Sequence, residues 1–364
     1  MSMTGAVTVM ITTGGTGGHV FPGLAVAAKL LARGARVFWL GTREGIESKL
    51  VPQHGVEFEG ISFRGVRGKG LRTLLLGPYA LLAACLAARS VIRRRMPDIV
   101  LGFGGFASFP GGLMGTAAGK PLVLHDSNAV AGLATRVLAH GADRILLGFP
   151  KALRGKHAKI VEWVGNPMRD AICALPPPGD RFAGRDGPLR LLVVGGSLGA
   201  QALNEIVPEA VARMPSDVRP LVVHQAGEKH IAALRDAYAK RSVEAECVAF
   251  IDDMAARYAW ADFVICRGGA ITISELAAVG LGALVVPLPG AIADEQSANA
   301  RFLVGAQAAW MEPQPALTAE RLAARLQSLD RARALAMAMA AHAQGKRDAA
   351  ARVADVCIDF GTRA

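Results

Sequence analysis

Thr12-Thr13-Gly14-Gly15-Thr16-Gly17-Gly18-His19-Val20-Phe21-Pro22 is the stretch on which the reading of this chain turns. Before it runs Val7-Thr8-Val9-Met10-Ile11, a short, apolar, β-branched segment that predicts a buried strand. Behind it, Gly23-Leu24-Ala25-Val26-Ala27-Ala28-Lys29-Leu30-Leu31 predicts a helix that stops at Arg33-Gly34. Glycines 14, 15, 17 and 18 let the backbone fold tightly and let a ligand come close to it. A helix N-terminus behind such a turn offers unpaired N–H groups and a positive dipole end, which suit an anion or a sugar. A Walker A loop would end Gly-Lys-Ser/Thr, whereas this one ends Gly18-His19-Val20. A dinucleotide fingerprint needs an acidic residue after the second strand, where Val37-Phe38-Trp39-Leu40 runs into Gly41-Thr42. His19 is then either a helix-start residue bonded to nearby backbone or a group aimed at a ligand. Its place at the carboxyl edge of a parallel sheet favours the second.

The rest of the chain extends this pattern. Its 364 residues suit two domains, and 52% apolar content with few aromatics suits helices packed on parallel sheets. A formal net charge of +11 favours an anionic partner without choosing among nucleotide, nucleic acid and acidic lipid. The five cysteines (85, 173, 247, 266 and 357) are scattered, with neither a C-x-x-C pair nor zinc-ligand spacing, and read as reduced thiols. No signal peptide is expected, because the first apolar run reads as a strand. Leu74 to Ala88 is interrupted by Gly77-Pro78 and falls short of the roughly 18 residues of a spanning helix, so no transmembrane segment is expected.

Strand-like and helix-like pieces alternate through the first half, with a basic loop at Arg64, Arg67 and Lys69 and a long helix to about Arg95. A second glycine turn, Gly102-Phe103-Gly104-Gly105, follows the strand at Ile99 to Leu101, and the strand Leu122-Val123-Leu124 ends in His125-Asp126-Ser127-Asn128. The proline-rich segment from Gly165 to Gly179 reads as a linker. Beyond it Leu189 to Val194 and Gly195-Gly196-Ser197-Leu198-Gly199 repeat the opening strand and glycine turn. Further strands are expected at 220–224, 246–250, 263–266 and 283–287. The fold class is therefore α/β, two Rossmann-like doubly wound parallel-sheet domains facing across a cleft.

Candidate chemistry sits at the strand ends. The turn at Ser197 is a diphosphate cradle or a plain βα turn. After Cys266-Arg267-Gly268-Gly269, the helix opened by Ala270, Ile271 and Thr272 carries Glu275, either a ribose-binding carboxylate or a charge that complements the helix dipole. Gln296 and Asn299, three apart on one helix face, suit sugar hydroxyls. Asp252-Asp253 reads as helix capping. No metalloprotease, serine-hydrolase or metal-ligand motif is found.

Gly14-Gly15-Thr16-Gly17-Gly18-His19-Val20-Phe21-Pro22-Gly23-Leu24-Ala25 resembles the N-terminal signature of the MurG family, glycosyltransferase family 28. These are the peptidoglycan N-acetylglucosaminyltransferases that convert lipid I to lipid II. The likeness continues through Leu40-Gly41-Thr42, Gly102 to Gly105, Val164 to Pro167, Gly195 to Ser197, Phe250 to Met254 and the segments of Glu275 and Gln296. It implies a GT-B fold with residues 1–167 plus 346–364 as acceptor and membrane-associated domain and 168–345 as UDP-GlcNAc donor domain. For the donor, it implies Ser197 on the diphosphate with Thr16, Gly17, Gly18, Ala270, Ile271 and Thr272 contributing. Arg169 and Ile251 would lie near the uracil, Glu275 on the ribose, and Asn128, Glu295 and Gln296 on the GlcNAc. Gly14, Gly15, Gly104 and Gly105 would face the acceptor. The chain departs from the family pattern at Asp126 (often Glu), Leu198 (often Gln), Gly268 (often Ser) and Glu295 (often Gln or His).

The implied reaction is inverting: the C4 hydroxyl of MurNAc in undecaprenyl-pyrophosphoryl-MurNAc-pentapeptide attacks C1 of GlcNAc, with His19 or Asp126 as base. No cofactor and no metal are expected. Arg72, Leu75, Leu76, Tyr79 and Leu82, with the basic loop, suit an anionic membrane surface or burial on both sides of the helix. Localisation at the cytoplasmic face of the inner membrane follows, with lipid I and cell-wall synthesis proteins as partners and no nucleic acid. A UDP-GlcNAc epimerase, an NAD-dependent oxidoreductase and a non-catalytic binding module are the competing classes.

Overall fold

The computed structural model describes residues 6–63, 71–153, 160–196, 199–290 and 294–362, with backbone alone for 71–76. Arg64, Arg67, Lys69, Ser197 and Leu198 lie outside the described residues, as do the side chains of Arg72, Leu75 and Leu76.

Runs of β-branched and aliphatic residues form strands buried on both faces, as strands of a helix-covered parallel sheet must be. The chain divides into two units, Met1–Arg169 with Arg347–Ala364, and Asp170–Lys346. The first unit opens with β1 (Thr8–Thr12), α1 (Gly17–Ala32), β2 (Arg36–Thr42), α2 (Glu47–Gln53), β3 (Glu57–Ile61) and α3 (Leu71–Arg95). It continues with β4 (Ile99–Gly102), α4 (Ser108–Ala117), β5 (Leu122–Asp126), α5 (Leu133–Leu138), β6 (Arg144–Leu147) and β7 (Ile160–Trp163).

The second unit starts with α6 (Asp170–Cys173), α7 (Pro178–Phe182), β8 (Arg190–Val194), α8 (Gln201–Ala212), β9 (Leu221–Gln225) and α9 (Ile231–Ala239). Next are β10 (Glu246–Val248), α10 (Met254–Trp260), β11 (Phe263–Cys266), α11 (Ala270–Val279), β12 (Gly282–Val285) and α12 (Glu295–Gly305). It closes with β13 (Ala309–Met311), α13 (Ala319–Gln327) and α14 (Arg331–His342), and α15 (Ala349–Gly361) returns to the first unit.

The two sheets have one topology. Their orders are β3-β2-β1-β4-β5-β6-β7 and β10-β9-β8-β11-β12-β13, and every pairing between described strands is parallel. In each, the chain leaves the first strand toward one edge and resumes beside it toward the other. The loops after β1 and β4, and those after β8 and β11, therefore part around a crevice at the strand ends. The first unit is closed by α15, whose Val353, Ala354 and Cys357 join a core with Val9, Ile11, Leu30 and Trp39. In the second, α8, α13 and α14 cover the sheet through Leu203, Val207, Leu322 and Ala338.

Three expectations change. The segment read as a linker holds α6 and α7, and Arg181 within α7 is buried. Its guanidinium donates to the carbonyls of Pro176 (3.1 Å), Tyr258 (3.2 Å), Val279 (2.8 Å) and Gly280, tying this segment to α10 and α11. Burial, with the neighbouring Arg185 charge, pushes its pKa down to about 10. Proline content signals irregular backbone, and irregular backbone here is packed. β13 was not expected; its three residues are too few to show a period. On α3 the inward face is Ala84, Cys85, Ala88, Val91 and Ile92, and Ala83 points outward.

Candidate active site

In the first unit the turns after β1 and β4 meet at the crevice. Thr13 Oγ1 donates to the Gly104 carbonyl (3.2 Å), and Trp39 Nε1 donates to the Thr13 carbonyl (3.1 Å). A Cβ at Gly105 would stand 2.7 Å from the Gly14 carbonyl oxygen, and Gly105 has φ +72, so glycine is required there twice over. His19, in the first turn of α1, lies against these turns, 3.4 Å from the Cβ position at Gly105 and 3.7 Å from that at Gly104. Its Nδ1 is buried without a hydrogen-bond partner among the described residues. Burial pushes the His19 pKa below its ordinary 6.5, against the Asp126 charge and a backbone hydrogen bond at Phe103. The ring is thus neutral at neutral pH, with a carboxylate placed to favour the imidazolium once a proton arrives.

That carboxylate has a second task. At the end of β5, Asp126 Oδ1 accepts the Asn128 N–H (3.1 Å) and Oδ2 the Gly132 N–H (3.0 Å), so Asp126 closes the loop that carries Asn128. Both of its oxygens are therefore engaged by backbone N–H groups. His125 points the other way, fully buried, with Nε2 2.9 Å from the Gly165 carbonyl and its ring 5.2 Å from that of Phe103. Burial, with the neighbouring His19, pushes its pKa down to about 4.

One residue of this site escaped the sequence reading. Glu47, first in α2, is fully buried and accepts the Thr42 N–H (2.9 Å), the Thr42 hydroxyl (2.6 Å) and the Gly15 N–H (3.3 Å). A Cβ at Gly14 would lie 2.1 Å from its Oε1, and one at Gly41 2.7 Å from its Cγ. Those glycines make room for a carboxylate that braces the His19 turn. A glycine inside β2 signals close approach, and Gly41 was the available clue.

In the second unit, Gly196 (φ +84) and Gly199 (φ +76) shape the turn after β8, where a Cβ at Gly199 would lie 2.0 Å from the Ala226 carbonyl oxygen. After β11, α11 starts at Ala270 behind Gly269, a residue with no side chain to cap the N–H groups of Ala270, Ile271 and Thr272. Gln296 Oε1 accepts the N–H groups of Gly268 (3.2 Å) and Leu288 (2.8 Å), and Asn299 Nδ2 donates to the Gly268 carbonyl (3.0 Å). The two amides expected to meet a sugar also grip the turn: Asn299 is buried, and the Gln296 side-chain carbonyl is engaged by backbone N–H groups. A Cβ at Gly268 would stand 2.3 Å from the Gln296 backbone oxygen, which accounts for glycine where serine is frequent.

Glu275 on α11 is nearly buried, and its Oε2 accepts the Tyr258 hydroxyl at 3.0 Å. The Ile251 side chain is buried. Arg169 is exposed, Glu295 is half-buried, and Asp253 caps α10 through the Ala256 N–H (2.9 Å). The structure thus gathers Gly14, Gly15, His19, Gly104, Gly105 and Asp126 in one unit, with Thr16, Gly17 and Gly18 opening α1 beside them. Among the described residues, no three of His, Cys, Asp or Glu gather as a metal would need.

Away from this crevice, α3 presents Tyr79, Leu82 and Leu86 at 73%, 58% and 56% exposure, a stripe that continues into exposed Arg89 and Arg93. No described helix is long and apolar enough to cross a membrane.

Comparison with known proteins places these features in a lineage. Residues 9–147 match the glycosyltransferase family 28 N-terminal domain, and residues 190–353 the C-terminal domain of that family. A protein of Ralstonia nicotianae is 54% identical over 354 residues, covering 96% of each chain. It is named UDP-N-acetylglucosamine--N-acetylmuramyl-(pentapeptide) pyrophosphoryl-undecaprenol N-acetylglucosamine transferase, as is one of Bordetella pertussis, 52% identical over 99% of each chain. The crystal structure of Acinetobacter baumannii MurG aligns with a TM-score of 0.84 at 35% identity, covering 97% of this chain and 99% of that one. A UDP-N-acetylglucosamine 2-epimerase aligns at 0.66 with 16% identity, a likeness of fold alone.

Proposed function

This chain belongs to glycosyltransferase family 28 and has its GT-B fold, and from that membership we infer the reaction it performs. It is an N-acetylglucosaminyltransferase that moves GlcNAc from UDP-GlcNAc to the C4 hydroxyl of MurNAc in undecaprenyl-pyrophosphoryl-MurNAc-pentapeptide, converting lipid I to lipid II in peptidoglycan synthesis. The observation that carries this reading is the 54% identity over 96% of both chains.

In the mechanism we propose, the C4 hydroxyl attacks C1 of GlcNAc from the face opposite UDP. The new C1–O bond forms as the C1–O bond to UDP breaks; the electron pair leaves with UDP, and C1 inverts. His19 takes the hydroxyl proton, a role supported by its neutral ring and by Asp126, which favours the resulting imidazolium. Gly14, Gly15, Gly104 and Gly105 offer close backbone approach to the acceptor, and Thr16 to Gly18 a helix start for phosphate oxygens. On the donor side we assign Ala270, Ile271 and Thr272 with Ser197 to the diphosphate, Glu275 to the ribose, and Arg169 with the Ile251 backbone to the uracil. Asn128, Glu295 and the Gln296 NH2 group are assigned to GlcNAc. Charge on departing UDP is met by helix N-termini, so we propose turnover without a metal or other cofactor, expected to persist in excess chelator.

We further propose peripheral attachment to an anionic membrane surface through α3. The support is the apolar stripe of Tyr79, Leu82 and Leu86 leading into Arg89 and Arg93, which suits insertion at a charged interface. Replacing Leu82 and Leu86 by Ser should release the folded protein from anionic vesicles; unchanged binding would remove this assignment.

The reaction is tested by UDP release from UDP-GlcNAc with and without a short-chain lipid I analogue. Acceptor-dependent release with the acceptor heavier by one GlcNAc is expected. Release without acceptor, with an epimerised sugar product, would overturn the transferase reading.

A further inference from the structure

Tyr258 is fully buried on α10, yet its hydroxyl reaches the one carboxylate on α11 assigned to the ribose. The hydroxyl donates to Glu275 Oε2 at 3.0 Å. The helix that carries it is pinned at its last turn: Arg181 donates to the Tyr258 carbonyl (3.2 Å), and Arg185 donates to the Ala261 carbonyl (3.0 Å). Arg181 also donates to the Val279 carbonyl (2.8 Å), so the same guanidinium holds α10 to the far end of α11. These bonds fix the backbone that carries the ring, and full burial of the ring holds the phenol beside Glu275. A glutamate has three side-chain torsions, and a fixed donor on one oxygen removes most of that freedom before a ligand arrives.

We propose that Tyr258 is a positioning residue for nucleotide recognition, holding the Glu275 carboxylate in the orientation that accepts the ribose hydroxyls of the donor. This rests on the assignment of Glu275 to the ribose. Tyr258 touches no part of the substrate, and its effect is read through Glu275.

The test is calorimetric binding of UDP and of 2′,3′-dideoxy-UDP to the full chain, comparing wild type, Tyr258→Phe and Glu275→Ala. Wild type should prefer UDP, because only UDP has the diol. Tyr258→Phe should shrink that preference by about tenfold, the scale of one hydrogen bond to a charged group, with dideoxy-UDP affinity unchanged. The KM for UDP-GlcNAc should rise by the same factor, while kcat and the acceptor KM hold. The preference is insensitive to partial misfolding, since both nucleotides see the same folded fraction. A preference unchanged in Tyr258→Phe, or an equal loss for both nucleotides, would overturn the positioning role. If Glu275→Ala retains the full wild-type preference, the ribose assignment itself fails, an outcome distinct from failure of Tyr258 alone.

Discussion

Two turns at strand ends carry the proposed chemistry, and they are braced differently. The turn at Gly14 to Gly18 is held by Glu47, a buried carboxylate from the helix after β2. The turn at Gly268 is held by Gln296 and Asn299, neutral amides from the helix after β12. In both, the brace comes from the helix that follows the next strand in the sheet. A carboxylate only accepts, and it satisfies the N–H groups of Gly15 and Thr42 together with the Thr42 hydroxyl. A pair of amides donates and accepts, and so takes both the N–H and the C=O of one glycine. The first turn combines a buried acidic side chain with a titratable ring, and the second is braced by amides. In the proposed mechanism proton transfer falls to the first, and recognition of the nucleotide to the second.

The largest expected effect lies on the first turn. His19→Ala should lower kcat by about a hundred- to ten-thousand-fold, the usual reach of general base catalysis, and leave UDP affinity unchanged. Because burial depresses the His19 pKa, the acid limb of kcat/KM should fall below pH 6.5. A variant with near-normal acceptor-dependent UDP release would dissolve the contrast between the two turns.

Glu47→Ala should cost about 3 kcal/mol in chemical denaturation, since it strands buried donors and opens a cavity. Glu47→Gln keeps the volume but turns an NH2 group toward an N–H, and it should cost less than Glu47→Ala while still lowering turnover. If both variants denature like wild type, the carboxylate brace is not holding the turn.

Acid should act on both units. His125 has a folded pKa of about 4 and His224 of about 3, each lowered by burial from 6.5. Between pH 6.5 and 4 the unfolded chain binds protons that the folded one refuses, so stability falls as pH falls through that window and is unaffected above it. The loss should be on the order of 3 kcal/mol for each at pH 4. Melting temperatures that stay flat over the window would contradict this burial.

Gln296→Ala should have the smallest effect, about 1–2 kcal/mol for two lost hydrogen bonds at a partly exposed site. It should raise the KM for UDP-GlcNAc more than it lowers kcat. A kcat loss as large as that of His19→Ala would move chemistry to the second turn.

Much of this was legible in advance. Aliphatic runs followed by glycine and a helix-forming stretch marked β1 and β8, because strand and helix signals are local. The basic, apolar helix of residues 71–95 was visible as a segment with too many apolar faces to bury, and the stripe of Tyr79, Leu82 and Leu86 is the part left outside. The site was less legible. Gln296 and Asn299 read as sugar ligands because amides suit hydroxyls, and nothing nearby in the chain announced that they would also bond Gly268. Asp126 reads from sequence as a second base candidate, and only the folded chain shows its oxygens on the N–H groups of Asn128 and Gly132.

The sequence alone determined the class of fold, the positions of the glycine turns and the histidine set among them, since each depends on neighbours within a few residues along the chain. Only the tertiary structure decided which polar side chains hold the turns. Glu47 reaches Gly15 across 32 residues, Gln296 reaches Gly268 across 28, and Tyr258 reaches Glu275 across 17. A buried donor takes whichever acceptor the packing brings to it, and that choice is made by the folded sheet.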